Sequence, residues 1–120
     1  MPNLKVQKRI NVALQYIRFS NRSGSHVNCF RYFPNNTDNH EDAKYKLFKM
    51  LRKKGHSVLI EPIFTNGSRC DVLDLTAAQI YEVMETEDKT SMIKKALKYP
   101  YIFALRGLYA AEILEKGFIL

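Results

Sequence analysis

Two acidic residues lie inside short apolar runs, where an unpaired carboxylate is costly. Asp71 lies in the run 69–75, Glu82 lies in the run 80–85, and four residues separate the runs. This spacing predicts a β-hairpin whose two arms place one acid beside the other. Two ionised carboxylates at so short a distance repel each other, and a bound divalent cation removes the repulsion. The pair therefore predicts a site for Mg²⁺ or Mn²⁺. The alternative for Asp71 is an edge-strand charge that discourages aggregation.

A third acid, Glu41, stands near the start of an amphipathic helix predicted over residues 40–54. Apolar residues recur at helical spacing from Ala43 to Leu51, and Glu41 falls on the flank of that stripe, where it can lean toward the sheet. A carboxylate near a helix N-terminus also favours the helix dipole, whatever else it does. The order along the chain is therefore an acid on a helix, a strand, and one acid on each arm of a hairpin.

This order resembles the PD-(D/E)XK nuclease superfamily, which includes restriction endonucleases and the small archaeal Holliday-junction resolvases. The likeness also rests on Lys-Lys-Gly-His at 53–56, on Asp-Val-Leu-Asp-Leu at 71–75 and on Tyr-Glu-Val at 81–83, and it spans roughly residues 40–105. It implies a Mg²⁺ or Mn²⁺ ion bound by these groups: the carboxylates of Asp71 and Glu82, the backbone carbonyl of Val83 and, as an outer carboxylate, Glu41.

Met84 departs from the family pattern, because it stands where the family has its catalytic lysine. In that family the lysine orients the attacking water and stabilises charge in the transition state, and a thioether can do neither. We expect Lys89 to substitute, since it projects near the apolar stripe of a helix predicted over 88–98. That helix is expected to bury Met92, Ile93, Ala96 and Leu97 and to turn Lys94, Lys95 and Lys98 toward solvent.

The resemblance thus implies a Mg²⁺-dependent endonuclease that acts on DNA, with branched or structured DNA among its candidate substrates, in replication, repair or recombination. Its catalytic residues would be Glu41, Asp71, Glu82 and Lys89. The alternative stays open at this point: catalysis has lapsed, and the nuclease fold binds nucleic acid or a replication or repair partner.

The charge is divided unevenly along the chain. Residues 1–54 carry 12 Lys or Arg against 3 Asp or Glu, whereas residues 55–120 carry 7 against 9. A basic half beside an acidic cluster is typical of a protein that approaches a polyanion while holding a cation. The residues expected to bind nucleic acid are Arg31, Lys44, Arg52, Lys53, Lys54 and Arg69.

Periodicity and turn residues predict one domain, residues 1–120, with an α/β fold. We expect a central mixed β-sheet of about four to five strands flanked by helices, a restriction-endonuclease-like sandwich. The predicted elements are helix 4–19, strand 26–33, helix 40–54 capped by Asn39 or Asp38, strand 58–64 disturbed by Pro62, the two hairpin strands, helix 88–98, strand 101–105 and helix 108–116.

Cys29 and Cys70 lack the clustered partners of a zinc site or a disulfide framework, so we expect buried thiols in a reducing compartment. No run reaches membrane-spanning length, and nothing has the form of a signal peptide. We therefore expect a cytoplasmic protein without membrane contact. The apolar segment 117–120 is expected to pack on the body or on a second subunit. The resemblance implies a homodimer, since small nucleases of this class commonly dimerise to meet two DNA strands.

Overall fold

The structure is a computed structural model that describes residues 4–19, 26–86 and 88–116, except for the side chains of Lys89 and Lys116. Segment 117–120, predicted to pack on the body or on a second subunit, lies outside these residues. The elements in chain order are α1 (Leu4–Leu14), α2 (Asp38–Lys53), β1 (Val58–Ile60), β2 (Val72–Asp74), β3 (Gln79–Met84), α3 (Lys89–Ala96), β4 (Ala104–Tyr109) and α4 (Ala110–Lys116).

The four strands form one mixed sheet in the order β1-β2-β3-β4. Strands β1, β2 and β3 are antiparallel neighbours, and β4 pairs in parallel with β3 after the crossover through α3. A parallel pair needs such a crossover, because a tight turn can only reverse the chain. The predicted α/β fold with a central mixed sheet is confirmed.

Helices cover both faces of the sheet, because successive strand residues point to opposite sides. Val72 packs in the cluster that contains Leu47 of α2 and Ile113 of α4. Its neighbour Leu73 packs in the cluster that contains Ile10 of α1. The sheet is therefore the middle layer of a three-layer sandwich, as predicted.

The hairpin of β2 and β3 is the element that carries the acid pair. Val72 pairs with Tyr81, so the next position outward places Asp71 opposite Glu82. The turn holds Ala78 at a positive φ of 52°. Asp74 stabilises this turn, because its carboxylate accepts a hydrogen bond from the Ala77 amide. The predicted hairpin is confirmed, and Asp74 has a structural role within it.

The predicted strand 26–33 is wrong, because this segment crosses the surface as an irregular loop. Asn28 adopts a positive φ of 64° and exchanges hydrogen bonds with Val58 through its amide and its side-chain oxygen. Thr37, rather than Asn39 or Asp38, caps α2 and accepts a hydrogen bond from the His40 amide. The apolar spacing of the loop reflects packing on α2 and not pairing in the sheet.

Several boundaries also differ from the prediction. Helix α1 ends at Leu14, earlier than expected, and β1 ends at Ile60, since Glu61 has a positive φ of 46°. The expected disturbance near Pro62 is thus present, and β1 is an edge strand. Strand β4 and helix α4 both begin later than expected, because 101–103 form a turn.

The prediction that both cysteine thiols are buried is correct for one of them and wrong for the other. Cys70 is buried, whereas Cys29 is exposed on the irregular loop. Among the described residues, no helix combines the length and the apolar character needed to cross a lipid bilayer.

Candidate functional site

The hairpin places Asp71 and Glu82 opposite each other, and each carboxylate accepts a hydrogen bond from a backbone amide of the other strand. The Asp71 amide donates to Oε2 of Glu82 at 3.2 Å, and the Val83 amide donates to Oδ2 of Asp71 at 2.8 Å. These reciprocal bonds extend the strand pairing beyond Val72 and hold both acids on the same side. The Glu82 side chain is only 3% exposed.

The two acids have opposite tendencies to ionise. Burial and the Asp71 carboxylate raise the pKa of Glu82 to about 9. Burial acts against ionisation of Asp71 too, but hydrogen bonds involving His40, Glu82 and the Val83 amide lower its pKa below the usual value. These shifts favour an ionised Asp71 beside a protonated Glu82 near neutral pH, because two negative charges at neighbouring positions repel each other.

Tyr99 fixes the other end of the Glu82 side chain. Its hydroxyl donates to Oε1 of Glu82 and lies 3.2 Å from the carbonyl oxygen of Arg69. Its ring packs against Phe64 at 5.8 Å between centroids. Burial and Glu82 raise the pKa of Tyr99 beyond its usual value, so the phenol stays protonated and remains a donor.

A polar cavity of about 360 Å³ opens beside Asp71 and receives residues from four parts of the chain. Its walls are Asn35, Asn36, Thr37, His40, Asp71, Val83, Glu85 and Lys95. The hydroxyl of Thr37 donates to Oε1 of Glu85 at 2.6 Å and so joins the start of α2 to the end of β3. The cavity has the polar lining that a charged ligand requires.

His40 is the side chain of α2 that meets the acid pair. Its Nε2 lies 3.4 Å from Oδ1 of Asp71. The interaction with Asp71 raises the pKa of His40, although burial opposes the charged form. The Nε2 atom is buried, and Asp71 is the charged group that it faces. His40 therefore positions the Asp71 carboxylate at the wall of the cavity.

Glu41 does not line this cavity, although the resemblance implied that it would. Its carboxylate accepts a hydrogen bond from the Phe33 amide and forms an ion pair with Lys44. Lys44 also pairs with Glu61 at 2.5 Å, and Glu41 is 1% exposed. Glu41 is therefore part of a buried triad with Lys44 and Glu61, and the observed role of Glu41 is to attach the irregular loop to α2.

Met84 lies where the resemblance expects a lysine, and it packs away from the cavity. A Cβ atom added at Gly107 would lie 2.9 Å from the Met84 methyl and 2.6 Å from that of Met92. Both thioethers therefore cover the glycine of β4, and Met84 is 7% exposed. Nothing basic occupies this position on β3.

Lys95 is the lysine that α3 brings to the cavity. It lines the wall beside Asp71, and its charge acts to lower the pKa of Glu82. The expectation that Lys95 points to solvent is wrong, because α3 is rotated relative to the prediction. Ile93 and Leu97, expected in the core, are 63% and 83% exposed. Lys89 begins α3, but its side chain lies outside the description.

The residues predicted to bind nucleic acid fall into three groups. Lys44 is fully buried, so it cannot reach a phosphate, and that prediction is wrong. Arg31 and Arg69 are exposed and lie 5.2 and 6.0 Å from the Phe33 ring. The group 52–54 is exposed at the far end of α2, about 20 Å from His40 along the helix. Of these three groups, the arginine pair is the one linked to the acids, because the Arg69 carbonyl lies 3.2 Å from the hydroxyl of Tyr99, which donates to Glu82.

The metal prediction can be compared with the groups present. The described residues contain no group of three or more His, Cys, Asp or Glu side chains arranged to hold a metal ion. The two acids nevertheless suit one hard cation chemically, because adjacent carboxylates repel each other when both are ionised and oxygen ligands suit a divalent ion. The groups that could hold an ion are the carboxylates of Asp71 and Glu82 and the carbonyl of Val83.

Sequence reasoning did not identify His40, Lys95 or Tyr99. The sequence indicates His40 only weakly. Residues 40 and 41 are 100° apart on a helix, so if Glu41 does not face Asp71 and Glu82, its neighbour His40 can. Tyr99 follows α3 directly, before Pro100. No pattern within the hairpin could have indicated a donor from that position.

Comparison with known proteins gives no match: no family model, no curated protein and no solved structure is significantly similar to this chain.

Proposed function

We propose that this protein is a divalent-metal-dependent endonuclease that hydrolyses phosphodiester bonds in DNA. The observation that carries the proposal is the pair of acids, a buried Glu82 and a partly buried Asp71, each tied to the other's strand by a backbone amide, with Asp71 lining a polar cavity. Its other support is the resemblance to PD-(D/E)XK nucleases, whose acids fall on the same two strands. Branched or structured DNA remains the substrate class to test first.

In this proposal Asp71, Glu82 and the Val83 carbonyl hold Mg²⁺ or Mn²⁺, with His40 beside them. A divalent ion bound there would polarise the phosphate and lower the pKa of a water molecule. Tyr99 keeps Glu82 oriented, and Lys95 supplies the positive charge that Met84 cannot. Lys95 lines the cavity wall, which makes it a better candidate than Lys89 for orienting the nucleophile.

A second function is favoured by one specific observation. Met84 is packed against Gly107 and Met92, so the position that carries the lysine in the family serves the core here. A protein that kept the fold and lost catalysis would bind nucleic acid or a replication or repair partner through Arg31 and Arg69. A homodimer is compatible with either function and is tested by light scattering after size exclusion.

The decisive experiment is a cleavage assay with Mg²⁺ or Mn²⁺ on duplex, single-stranded and four-way DNA. Asp71→Asn and Glu82→Gln should each abolish cleavage, because each removes a metal ligand with little change in volume. Lys95→Ala should reduce cleavage by about 100-fold or more if Lys95 places the nucleophile. Lys49→Ala is the matched control, since Lys49 is an exposed lysine on helix α2 and does not line the cavity.

The outcomes separate the two functions. Cleavage by wild type that is lost in Asp71→Asn but retained by Lys49→Ala supports the enzyme. If Lys89→Ala abolishes cleavage and Lys95→Ala does not, Lys89 and not Lys95 orients the nucleophile. Salt-dependent DNA binding without cleavage on any substrate, in a preparation that binds Mn²⁺ weakly, would favour the binding function.

A further inference from the structure

Helix α3, its C-cap and the turn that follows expose three large apolar side chains to solvent. We call this the α3 platform: Ile93 on the helix, Leu97 at its C-cap and Tyr101 in the turn, which are 63%, 83% and 91% exposed. Large apolar side chains this exposed and this close in sequence are unusual, and grouped ones mark contact surfaces. The opposite side of the same helix carries Lys95 into the cavity wall.

The charge around the platform identifies the kind of partner. Lys94 and Lys98 are exposed beside it, and the nearest acid along the chain, Asp88, caps the other end of α3. A surface that is apolar, aromatic and positively charged complements a polyanion that also has apolar faces. A second copy of the chain fits poorly, because it would bring two lysine-rich helices together.

A single-stranded nucleic acid has both properties. Bases that are not paired expose their faces and stack on tyrosine, while lysines contact the phosphates. A fully paired duplex hides those faces and offers the platform only phosphates. A lipid surface would match the lysines as well, but α3 is only eight residues long, about 12 Å, and so offers little area for insertion.

We propose that the α3 platform stacks unpaired bases of a single-stranded or locally opened nucleic acid, with Lys94 and Lys98 contacting its phosphates. The strand would pass over α3 and bring a neighbouring phosphate to the cavity that Lys95 and Asp71 line. This inference rests on the proposed function for its choice of polyanion. It defines the substrate class as nucleic acid with unpaired nucleotides.

The chain contains no tryptophan, so a single substitution gives a specific optical probe. Tyr101→Trp should show fluorescence quenching when a short oligothymidylate is added, because the indole stacks on a base. The same length of duplex should quench it far less, and added salt should reverse the effect. Tyr45→Trp is the matched control, since Tyr45 is an exposed tyrosine beside Lys49 on α2.

Affinity provides the second measurement. Tyr101→Ala should weaken binding of the labelled oligothymidylate by about tenfold, whereas Tyr101→Phe should stay within about twofold of wild type. The melting temperature should hardly change in either variant, because the side chain is exposed. Leu4→Ala, at another exposed apolar residue, should leave affinity unchanged.

Three results would overturn the platform: no quenching by the single strand, equal quenching by duplex and single strand, or quenching only with phosphatidylserine vesicles. Concentration-dependent dimerisation lost in Tyr101→Ala, without oligonucleotide binding, would assign the platform to a second copy instead. Quenching without cleavage of any DNA would keep the platform and reject the nuclease. If the protein cleaves duplex DNA equally well with Tyr101→Ala and the single strand causes no quenching, the nuclease proposal is kept and the platform is rejected.

Discussion

Replacing Glu82 by glutamine should remove a pH dependence of stability that wild type has in the absence of metal. Glu82 has its pKa raised to about 9, whereas an ordinary glutamate has 4.5. The unfolded chain therefore loses this proton near its ordinary pKa, and the folded protein keeps it up to about pH 9. The stabilising contribution is fully present below the unfolded pKa and is lost as pH rises through the folded one.

The size of the effect follows from the width of that window. Each pH unit inside it changes the free energy of unfolding by about 1.4 kcal/mol, since the unfolded state binds one proton fewer. Between about pH 6 and pH 8, wild type should lose about 3 kcal/mol relative to Glu82→Gln. This is a large part of the 5–15 kcal/mol that holds a typical domain together, so it is measurable.

Urea unfolding at several pH values in EDTA, followed by circular dichroism, measures the difference. His40 also has a raised pKa and loses stability in the same direction, but it is present in both proteins and largely cancels. Glu112→Gln, at an exposed position of α4, controls for the loss of a carboxylate. Adding Mn²⁺ should stabilise wild type more at the higher pH, because the ion must displace the Glu82 proton.

Parallel stability curves for wild type and Glu82→Gln would refute this reasoning, because Glu82 would then be ionised in the folded protein. A wild type that gains stability relative to Glu82→Gln as pH rises would refute it more strongly. In either case Glu82 would not hold a proton beside Asp71, and the electrostatic argument for a cation at that point would be lost.

Three further substitutions test other parts of the structure by chemical denaturation. Lys44→Met should lower the free energy of unfolding by about 3–5 kcal/mol, because it leaves two buried carboxylates without their cation. Lys49→Met, at an exposed lysine, should lower it by less than about 1 kcal/mol, and equal effects would contradict the buried triad. Thr37→Ala should cost about 1 kcal/mol through loss of the α2 cap, and Thr37→Ser should recover most of it. Met84→Lys should cost several kcal/mol, since the ammonium would be desolvated beside Met92; a fully stable variant would show that the lysine reaches the cavity.

The fold was largely predictable from local patterns, and the hairpin illustrates why. Apolar alternation and a four-residue connection determine both the pairing and the face on which Asp71 and Glu82 lie. The loop 26–33 shows the limit of that reasoning. Its apolar residues suggest a strand, but Asn28 occupies the hydrogen-bonding groups of Val58 in a geometry that only the tertiary structure shows.

Local sequence patterns could not predict the structural role of Glu41, for a similar reason. Lys44 lies one helical turn from Glu41, which suggests an ordinary surface pair worth little. The second partner, Glu61, comes from beyond β1, where a positive φ turns it inward. Burial converts the three charges into a structural triad, and no property of the α2 sequence alone indicates that burial.

The rotation of α3 links the candidate site to the α3 platform. An apolar stripe on a helix normally faces the core, and that rule placed Ile93 and Leu97 inside and Lys95 outside. In the structure the parallel pairing of β3 and β4 seats α3 over Gly107, where the two thioethers of Met84 and Met92 fill the space. The inward side then carries Lys95 to the acid pair, and the apolar stripe is left at the surface. A helix that exposes its apolar stripe forgoes the burial of two large side chains, about 1.5–3 kcal/mol for each if fully buried, so a partner that covers the stripe can recover that free energy.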